Sequence, residues 1–125
     1  MVNIVTDSTV CLPAGVLERY PITVIPQFIH FSDGVYRDGV DIDVPTFLSR
    51  LRAAAELPKT AAAPPERFAA EFARLVPTGR PILCLLVSSR LSATVDAAHS
   101  AARQFPQADI RVMDTRLAAG PLGTL

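Results

Sequence analysis

The sequence predicts a single α/β domain over residues 1–125, with a mostly parallel sheet, helices on both faces of the sheet and one β-hairpin. Half of the residues are hydrophobic and 19% are charged, which favours a folded chain with a sizeable core. Short apolar runs alternate with stretches of helical spacing, as in parallel strands joined by right-handed crossovers. One turn signal between two extended runs predicts the hairpin.

The first predicted elements are a buried strand and a short helix. Residues 2–6 (VNIVT) are rich in Val and Ile and run directly into a polar turn that begins at Asp7. Pro13 suits the first turn of a short helix, because that position needs no backbone N–H. The inner side of this helix is predicted to consist of Val16, Leu17 and Tyr20.

An extended apolar segment and a hairpin follow. Residues 22–31 (ITVIPQFIHF) form the segment. Pro26 predicts a bulge or a sheet edge within it, because proline cannot donate to a hydrogen-bond ladder. Asp33-Gly34 is a turn signal, so residues 35–39 are predicted to return antiparallel.

Two helices separated by a proline-containing loop are predicted in the middle of the chain. Asp43 is expected to cap a helix that continues to about Glu56. Residues 57–68 (LPKTAAAPPERF) should form an ordered, extended loop, because a residue before proline is pushed out of helical conformations. The second helix is predicted to begin at about Pro65 and to be closed by Gly79.

The last third of the chain predicts a strand, a helix and a strand. Residues 81–87 (PILCLLV) are continuously apolar, which is typical of a strand covered on both faces. Residues 91–105 have helical spacing, and residues 109–114 resemble a final strand. A helix that began at residues 118–119 would be broken by Gly120-Pro121.

Three polar clusters directly follow predicted strands. Because the carboxyl ends of parallel strands meet at one edge of a sheet, we expect the three clusters to converge there. Open α/β sheets bind their ligands in the crevice at this edge. The clusters are Asp7-Ser8-Thr9, Ser88-Ser89-Arg90 and Asp114-Thr115-Arg116.

Composition excludes several classes of function. The formal net charge is zero, whereas nucleic-acid binding needs an excess of Lys and Arg on one face. Cys11 and Cys84 each lack a neighbouring cysteine, so neither a metal knuckle nor a redox pair is predicted. The N-terminus does not resemble a signal peptide, and the longest apolar run is far shorter than the ~20 residues of a membrane span. A soluble, cytoplasmic protein is therefore expected.

The stretch 87–94 (VSSRLSAT) places four hydroxyl groups between a predicted strand and a predicted helix. One of Ser88, Ser89 and Ser92 is expected to cap the helix, and the others could simply contact water. A serine nucleophile is disfavoured, because no glycine flanks these serines and neither histidine is predicted to lie beside them. A nucleotide is disfavoured because no glycine-rich phosphate motif occurs. A carboxylate fits hydroxyl donors at a helix N-terminus.

Four motifs occur in order over nearly the whole chain: residues 4–9 (IVTDST), 36–42 (YRDGVDI), 57–68 (LPKTAAAPPERF) and 87–94 (VSSRLSAT). With them the chain resembles the N-terminal domain of DegV-type fatty-acid-binding proteins, and residues 112–115 (VMDT) agree with a fifth, weaker motif of that family. Each motif alone has low specificity, but together at these spacings they are strong.

The resemblance implies a bacterial binding protein rather than an enzyme, with a long-chain fatty acid as ligand and with neither cofactor nor metal. Some family members present the acyl carboxylate to a fatty acid kinase. Matched by motif, the carboxylate would be held by Thr60 and by Ser92, which is expected in the first turn of a helix whose dipole favours an anion. Ser88 and Ser89 would shape the turn or donate a further hydrogen bond. Asp7 is also a candidate contact, although we expect it mainly to hold the adjacent turn.

The acyl chain needs an apolar slot, which we expect to be lined by residues 22–29 and by part of the run 81–87. The chain departs from the family pattern where Ala61 and Ala62 replace the usual Ser-x after the loop threonine, and where Ala93 replaces the usual glycine. The resemblance implies a second domain that supplies half of the pocket, and we expect this domain to be absent because the sequence stops at Leu125, about where the first domain ends. The chain is therefore expected to be a fragment, to complete its pocket as a homodimer, or to have lost lipid binding.

Two other classes of function stay open at this point. The alternative to a lipid carrier is a structural or protein-interaction module that keeps the fold and presents an apolar face to a partner. A more distant alternative is an enzyme that acts on a small phosphorylated or carboxylated substrate, for which the sequence supplies no evident base.

Overall fold

Two β-sheets form the framework of the structure, a computed structural model that describes residues 1–13 and 15–118. The larger sheet is parallel and consists, in spatial order, of β2 (Ile22–Ile25), β1 (Asn3–Asp7), β6 (Ile82–Leu86) and β7 (Ile110–Asp114). The smaller sheet is antiparallel and consists of β4 (Gly34–Arg37), β3 (Phe28–Phe31) and β5 (Lys59–Ala61). The predicted fold class, an α/β fold with a mostly parallel sheet and a β-hairpin, is confirmed.

Four α-helices connect the described strands: α1 (Val16–Arg19), α2 (Val44–Ala53), α3 (Pro65–Leu75) and α4 (Thr94–Ala102). Asp43 caps α2 as predicted, because its side chain accepts the backbone N–H of Thr46 at 2.8 Å. A 3₁₀ turn, Val76–Thr78, extends α3 to Gly79, whose φ of 70° ends the helix as predicted. The predictions for residues 119–121 lie outside the described residues.

The hydrophobic core lies between α3, α4 and one face of the parallel sheet. Phe68 and Phe72 of α3 and Ala98 of α4 are fully buried against this face. Val5 and Cys84 are register partners on neighbouring strands and are also 0% exposed. Burial of each large apolar side chain contributes roughly 1.5–3 kcal/mol, so this face supplies most of the driving force for folding.

The opposite face of the parallel sheet also carries apolar side chains, but within the described residues they are less deeply buried. Register pairs Ile4 with Leu83, and both side chains are half-buried. Leu85 is half-buried beside Met113, which is 51% exposed. The helices of the core, α3 and α4, do not cover this face.

The segment that the sequence predicts as one extended run, residues 22–31, is two strands in two different sheets. β2 ends at Ile25 as an edge strand of the parallel sheet, which agrees with the sheet edge predicted from Pro26. The chain then crosses to the antiparallel sheet, where β3 begins at Phe28. Pro26 and Gln27 therefore form the junction between the two sheets.

Three other expectations differ from the structure. Leu17 and Tyr20 are each 49% exposed, so the predicted inner side of α1 is wrong for these two residues, whereas Val16 is half-buried; a single helical turn covers too little of the sheet to bury them. The last helix begins at Thr94 rather than at residue 91, because the N–H groups of residues 91 and 92 both bond the carbonyl of Ser88 in a turn. The predicted extended loop contains a strand, β5, that pairs with β3.

The three polar clusters converge at the carboxyl edge of the parallel sheet, as predicted. The backbone N–H of Val87 donates to the carboxylate of Asp7 at 2.8 Å, which joins the ends of β1 and β6. The hydroxyl of Ser89 donates to the carboxylate of Asp114 at 2.5 Å, which joins the ends of β6 and β7.

Arg50 holds α2 against the small sheet, although α2 itself contains no buried residue. Its guanidinium carbon lies 4.1 Å from the ring centroid of Phe31 and 4.6 Å from that of Tyr36. A guanidinium nitrogen is also 2.6 Å from the carboxylate of Asp33, and this hydrogen bond lowers the pKa of Asp33. These contacts of Arg50 fix α2 in place, and α2 forms part of one wall of the space between the two sheets.

Asp41 is expected to make the loop after β4 sensitive to acid. Its carboxylate accepts the backbone N–H of Arg37 and two guanidinium N–H groups at 2.8–3.0 Å. The pKa of Asp41 is lowered to about 2, mainly because its carboxylate accepts side-chain hydrogen bonds from Arg37. Because the pKa is depressed in the folded state, this stabilisation is present above about pH 4 and is lost as the pH falls toward 2.

The measurement compares the urea midpoints of the wild type and Asp41→Asn at pH 6 and pH 2.5. The wild type should have the higher midpoint at pH 6, and the difference should shrink at pH 2.5. A difference that is equal at both pH values would contradict a stabilising role for the ionised carboxylate.

Candidate ligand-binding site

A cavity of about 570 Å³ lies between the small sheet and the carboxyl edge of the parallel sheet. Apolar side chains form most of its wall, and the cavity is open on one side. The small sheet and α2 contribute Ile29, Thr60 and Phe47, whereas the ends of the parallel strands contribute Thr9, Val87 and Ser92. The two predicted carboxylate contacts, Thr60 and Ser92, therefore line the same cavity.

Thr60 is positioned by the pairing of β5 with β3. It lies directly opposite Ile29 in the antiparallel register, so the two side chains project from the same face of the sheet. Both residues line the cavity. Pro64 and Pro65 then turn the chain into α3, and Ala63, which is 2% exposed, joins the hydrophobic core. The core thus anchors the segment that carries Thr60.

Ser92 belongs to a small hydrogen-bonded network behind the cavity wall. Its Oγ lies 2.7 Å from Oγ1 of Thr94 and accepts the backbone N–H of Thr94 at 3.3 Å. Gln27 donates its Nε2–H to Oγ1 of Thr94 at 2.8 Å. Ser92 precedes α4 rather than lying in its first turn, so its predicted position in the helix is wrong.

Ser88 and Ser89 lie near the cavity without lining it. The hydroxyl oxygen of Ser88, which is 4% exposed, accepts the backbone N–H of Arg90 at 3.2 Å. The hydroxyl of Ser89 is bonded to Asp114. These contacts give both serines a role in shaping the turns after β6 and β7.

Asp7 is fully buried and accepts three hydrogen bonds. The backbone N–H and the hydroxyl of Thr9 bond one carboxylate oxygen at 2.8 Å and 2.5 Å, and the N–H of Val87 bonds the other at 2.8 Å. Asp7 does not line the cavity itself; it positions Thr9 and Val87, which do. This arrangement favours the structural role that the sequence indicated.

Among the described lining residues, Asp38 is the only ionisable one. An anionic headgroup at the two hydroxyls would therefore meet hydrogen-bond donors but no described cation in the wall.

The buried thiol of Cys84 is neutral at physiological pH, because burial and the nearby Asp7 charge raise its pKa to about 12. No cluster of His, Cys, Asp and Glu suited to a metal ion occurs in residues 1–13 and 15–118. In the same residues, no helix combines the length and the apolar character of a membrane span.

Gln27 was predicted only as part of the run 22–29, and its hydrogen bond to Thr94 was missed. It lies in the wall, is 8% exposed and connects to Ser92 through Thr94. The available signal was a polar amide next to Pro26 in a run that is otherwise mostly apolar. The prediction that residues 22–29 and 81–87 line the slot is matched in part, by Gln27, Ile29 and Val87.

Comparison with known proteins decides the family. The family model described as "Uncharacterised protein, DegV family" matches residues 1–125. The chain belongs to the DegV family. A DegV domain-containing protein of Streptomyces coelicolor is 39% identical over 124 residues, which is 98% of this chain and 43% of that protein.

Solved structures of fatty-acid-binding proteins share the fold. A protein of Eubacterium ventriosum that binds stearic acid superimposes with a TM-score of 0.88 at 30% identity, over 95% of this chain and 43% of that one. The fatty acid kinase (Fak) B3 protein of Streptococcus pneumoniae, loaded with linoleic acid, gives a TM-score of 0.73 at 25% identity, over 95% and 43% of the two chains. The chain thus spans less than half the length of these three proteins.

Proposed function

We propose that this DegV chain binds a long-chain fatty acid non-covalently, as a binding protein rather than an enzyme and without a cofactor or metal. One observation carries the proposal: Thr60 and Ser92, which lie far apart in sequence, line one mostly apolar cavity. Its volume of about 570 Å³ falls in the range of about 300–1,000 Å³ that is typical of small-molecule sites. The Eubacterium ventriosum protein that binds stearic acid and the Streptococcus pneumoniae protein loaded with linoleic acid share the fold.

The headgroup is proposed to sit between the hydroxyls of Thr60 and Ser92. Each hydroxyl supplies one donor, and hydrogen bonds to a carboxylate are roughly twice as strong as neutral ones. The acyl chain would extend along Ile29, Phe47 and Val87, where each buried methylene contributes about 0.8 kcal/mol. The chain would then supply most of the affinity, and the hydroxyls would orient the acid.

Two variants and a matched control test the headgroup site. The expected result is that Thr60→Val and Ser92→Ala each raise the dissociation constant for palmitate about tenfold. Ser89→Ala removes a nearby hydroxyl that does not line the cavity, so its dissociation constant should equal that of the wild type. The chain has no tryptophan whose fluorescence could report binding, so the dissociation constant is measured by displacement of a fluorescent fatty acid.

An equal loss of affinity in Ser89→Ala, or no binding of palmitate by the wild type, would contradict the proposal. Native mass spectrometry of the purified protein gives an independent check, because a co-purifying acid would appear as an added mass.

We further propose that the bound acid is presented to a fatty acid kinase, as the name of the Streptococcus pneumoniae relative suggests. Incubation of the loaded protein with such a kinase and ATP should yield acyl phosphate, which hydroxylamine traps. Unbound acid should yield much less. Equal yields from bound and unbound acid would contradict a carrier role.

A protein-interaction module is the second candidate, and the half-buried apolar face around Leu83, Leu85 and Met113 favours it. Native mass spectrometry distinguishes the two candidates. A homodimer or other complex without bound acid would support the interaction module, whereas a monomer or dimer carrying an acid would support lipid binding.

A further inference from the structure

We propose that Gln27 is a positioning residue for the headgroup: its buried amide acts through Thr94 to keep the hydroxyl of Ser92 directed into the cavity as a donor. Ser92 would thereby favour a carboxylate over an uncharged headgroup of the same chain length. This inference rests on the proposed function, because it requires Ser92 to contact the headgroup.

Gln27 is fixed at the junction of the two sheets by its own backbone. Its N–H donates to Oγ of Ser8 at 3.0 Å, and its carbonyl oxygen accepts the N–H of Asp38 at 2.9 Å. The side chain is 8% exposed and donates Nε2–H to Oγ1 of Thr94 at 2.8 Å. The amide therefore reaches Thr94 from a backbone position that both sheets determine.

The donor from Gln27 sets the direction of the remaining hydrogen bonds. Thr94 is 0% exposed, and its oxygen already accepts from Gln27. Among the described residues, Oγ of Ser92 at 2.7 Å is the partner left for the hydroxyl hydrogen of Thr94. Leaving a buried hydroxyl hydrogen without an acceptor is unfavourable, so Thr94 donates to Ser92.

Ser92 is then an acceptor toward the protein and a donor toward the cavity. Its oxygen accepts both the hydroxyl and the backbone N–H of Thr94, which occupies the two lone pairs of a hydroxyl. Its own hydrogen remains free for a ligand in the cavity that Ser92 lines. Without Gln27, the hydroxyl of Thr94 could accept from Ser92 instead, and the donor would turn inward.

An apolar side chain of similar size would fill the same space as Gln27 but could not donate to Thr94. Oε1 of Gln27 is buried and has no hydrogen-bond partner among the described residues.

The test is a double-mutant cycle with Gln27→Met and Thr94→Val. Each substitution keeps the side-chain volume and removes the hydrogen bond between Gln27 and Thr94. The probes are palmitate and 1-hexadecanol, and the quantity is the ratio of their dissociation constants. Gln27→Met should lower the preference for the acid about tenfold, because Ser92 can then donate to the oxygen of Thr94 instead of to the headgroup. In the double variant, Thr94→Val also removes this inward acceptor, so the preference for the acid should return toward the wild-type value.

Thermal melts of each variant check that the fold is retained. An acid preference that Gln27→Met leaves unchanged, or a loss that persists in the double variant, would overturn the positioning role. Failure of the wild type to bind palmitate would instead overturn the proposed function itself.

Discussion

Replacement of Asp7 by alanine is expected to lower the free energy of unfolding by roughly 3–5 kcal/mol. Asp7 is 0% exposed, and its two oxygens accept three hydrogen bonds, from Thr9 and from the N–H of Val87. Alanine would leave the N–H of Val87 buried without an acceptor and would release the end of β1 from the end of β6. Urea denaturation at neutral pH measures the change.

Asp114 provides a matched control, since it also follows a strand and bonds a nearby backbone N–H and a serine hydroxyl. Its carboxylate accepts the N–H of Arg116 at 2.9 Å and the hydroxyl of Ser89 at 2.5 Å. Asp114 is only half-buried, so water can replace these bonds. The loss in Asp114→Ala should be much smaller than in Asp7→Ala. Equal losses would mean that burial does not determine the contribution of these strand-end carboxylates.

Phe72→Ala is expected to lower the free energy of unfolding by about 3–5 kcal/mol, as is usual when a fully buried aromatic ring is removed. The ring of Phe72 is 0% exposed and lies between Phe68 and Phe105, with ring centroids 6.2 Å and 6.3 Å away. It fixes α3 to α4 and, through α3, holds the segment that carries Thr60. The urea midpoint should fall, and the m-value should stay unchanged.

Phe47→Ala is the matched control for Phe72. Phe47 is half-buried, lines the cavity and packs edge-on against Phe31, with the ring centroids 6.1 Å apart. Its removal should lower stability less than Phe72→Ala and lower palmitate affinity more. The opposite ranking would place the acyl slot away from Phe47.

The parallel sheet could be predicted because its signals are local. Residues 2–6 and 81–87 are short apolar runs that end in polar turns, and both contain strands of this sheet. The cap at Asp43 and the stop at Gly79 are likewise set by residues that are close in sequence. Local chemistry was sufficient for these elements.

The missed elements depend on long-range pairing. Pro26 marked a break, but whether the chain bends within one sheet or enters another depends on what β3 pairs with. Residues 59–61 are too short and too close to prolines to predict a strand, and they become β5 because β3 offers an edge. In the same way, Ser89 bonds Asp114 rather than lining the cavity, through a partner 25 positions away.

The candidate site was predictable to the extent that motif resemblance identified it. Thr60 and Ser92 were predicted as headgroup contacts from motif positions, and the structure places both along one cavity. Their contact with a carboxylate stays a prediction. The hydrogen bond from Gln27 to Thr94 was missed because Thr94 lies 67 positions further along the chain.

The two walls of the cavity differ in how deeply they are anchored. One wall is tied to the core beneath the parallel sheet, whereas the other consists of the three-stranded sheet and α2, a helix without a buried residue. Straight and kinked hydrocarbon tails differ in the width that they need. Tolerance for tail shape would therefore reside in the less deeply anchored wall, whereas the polar end would be held from both walls, by Thr60 and Ser92.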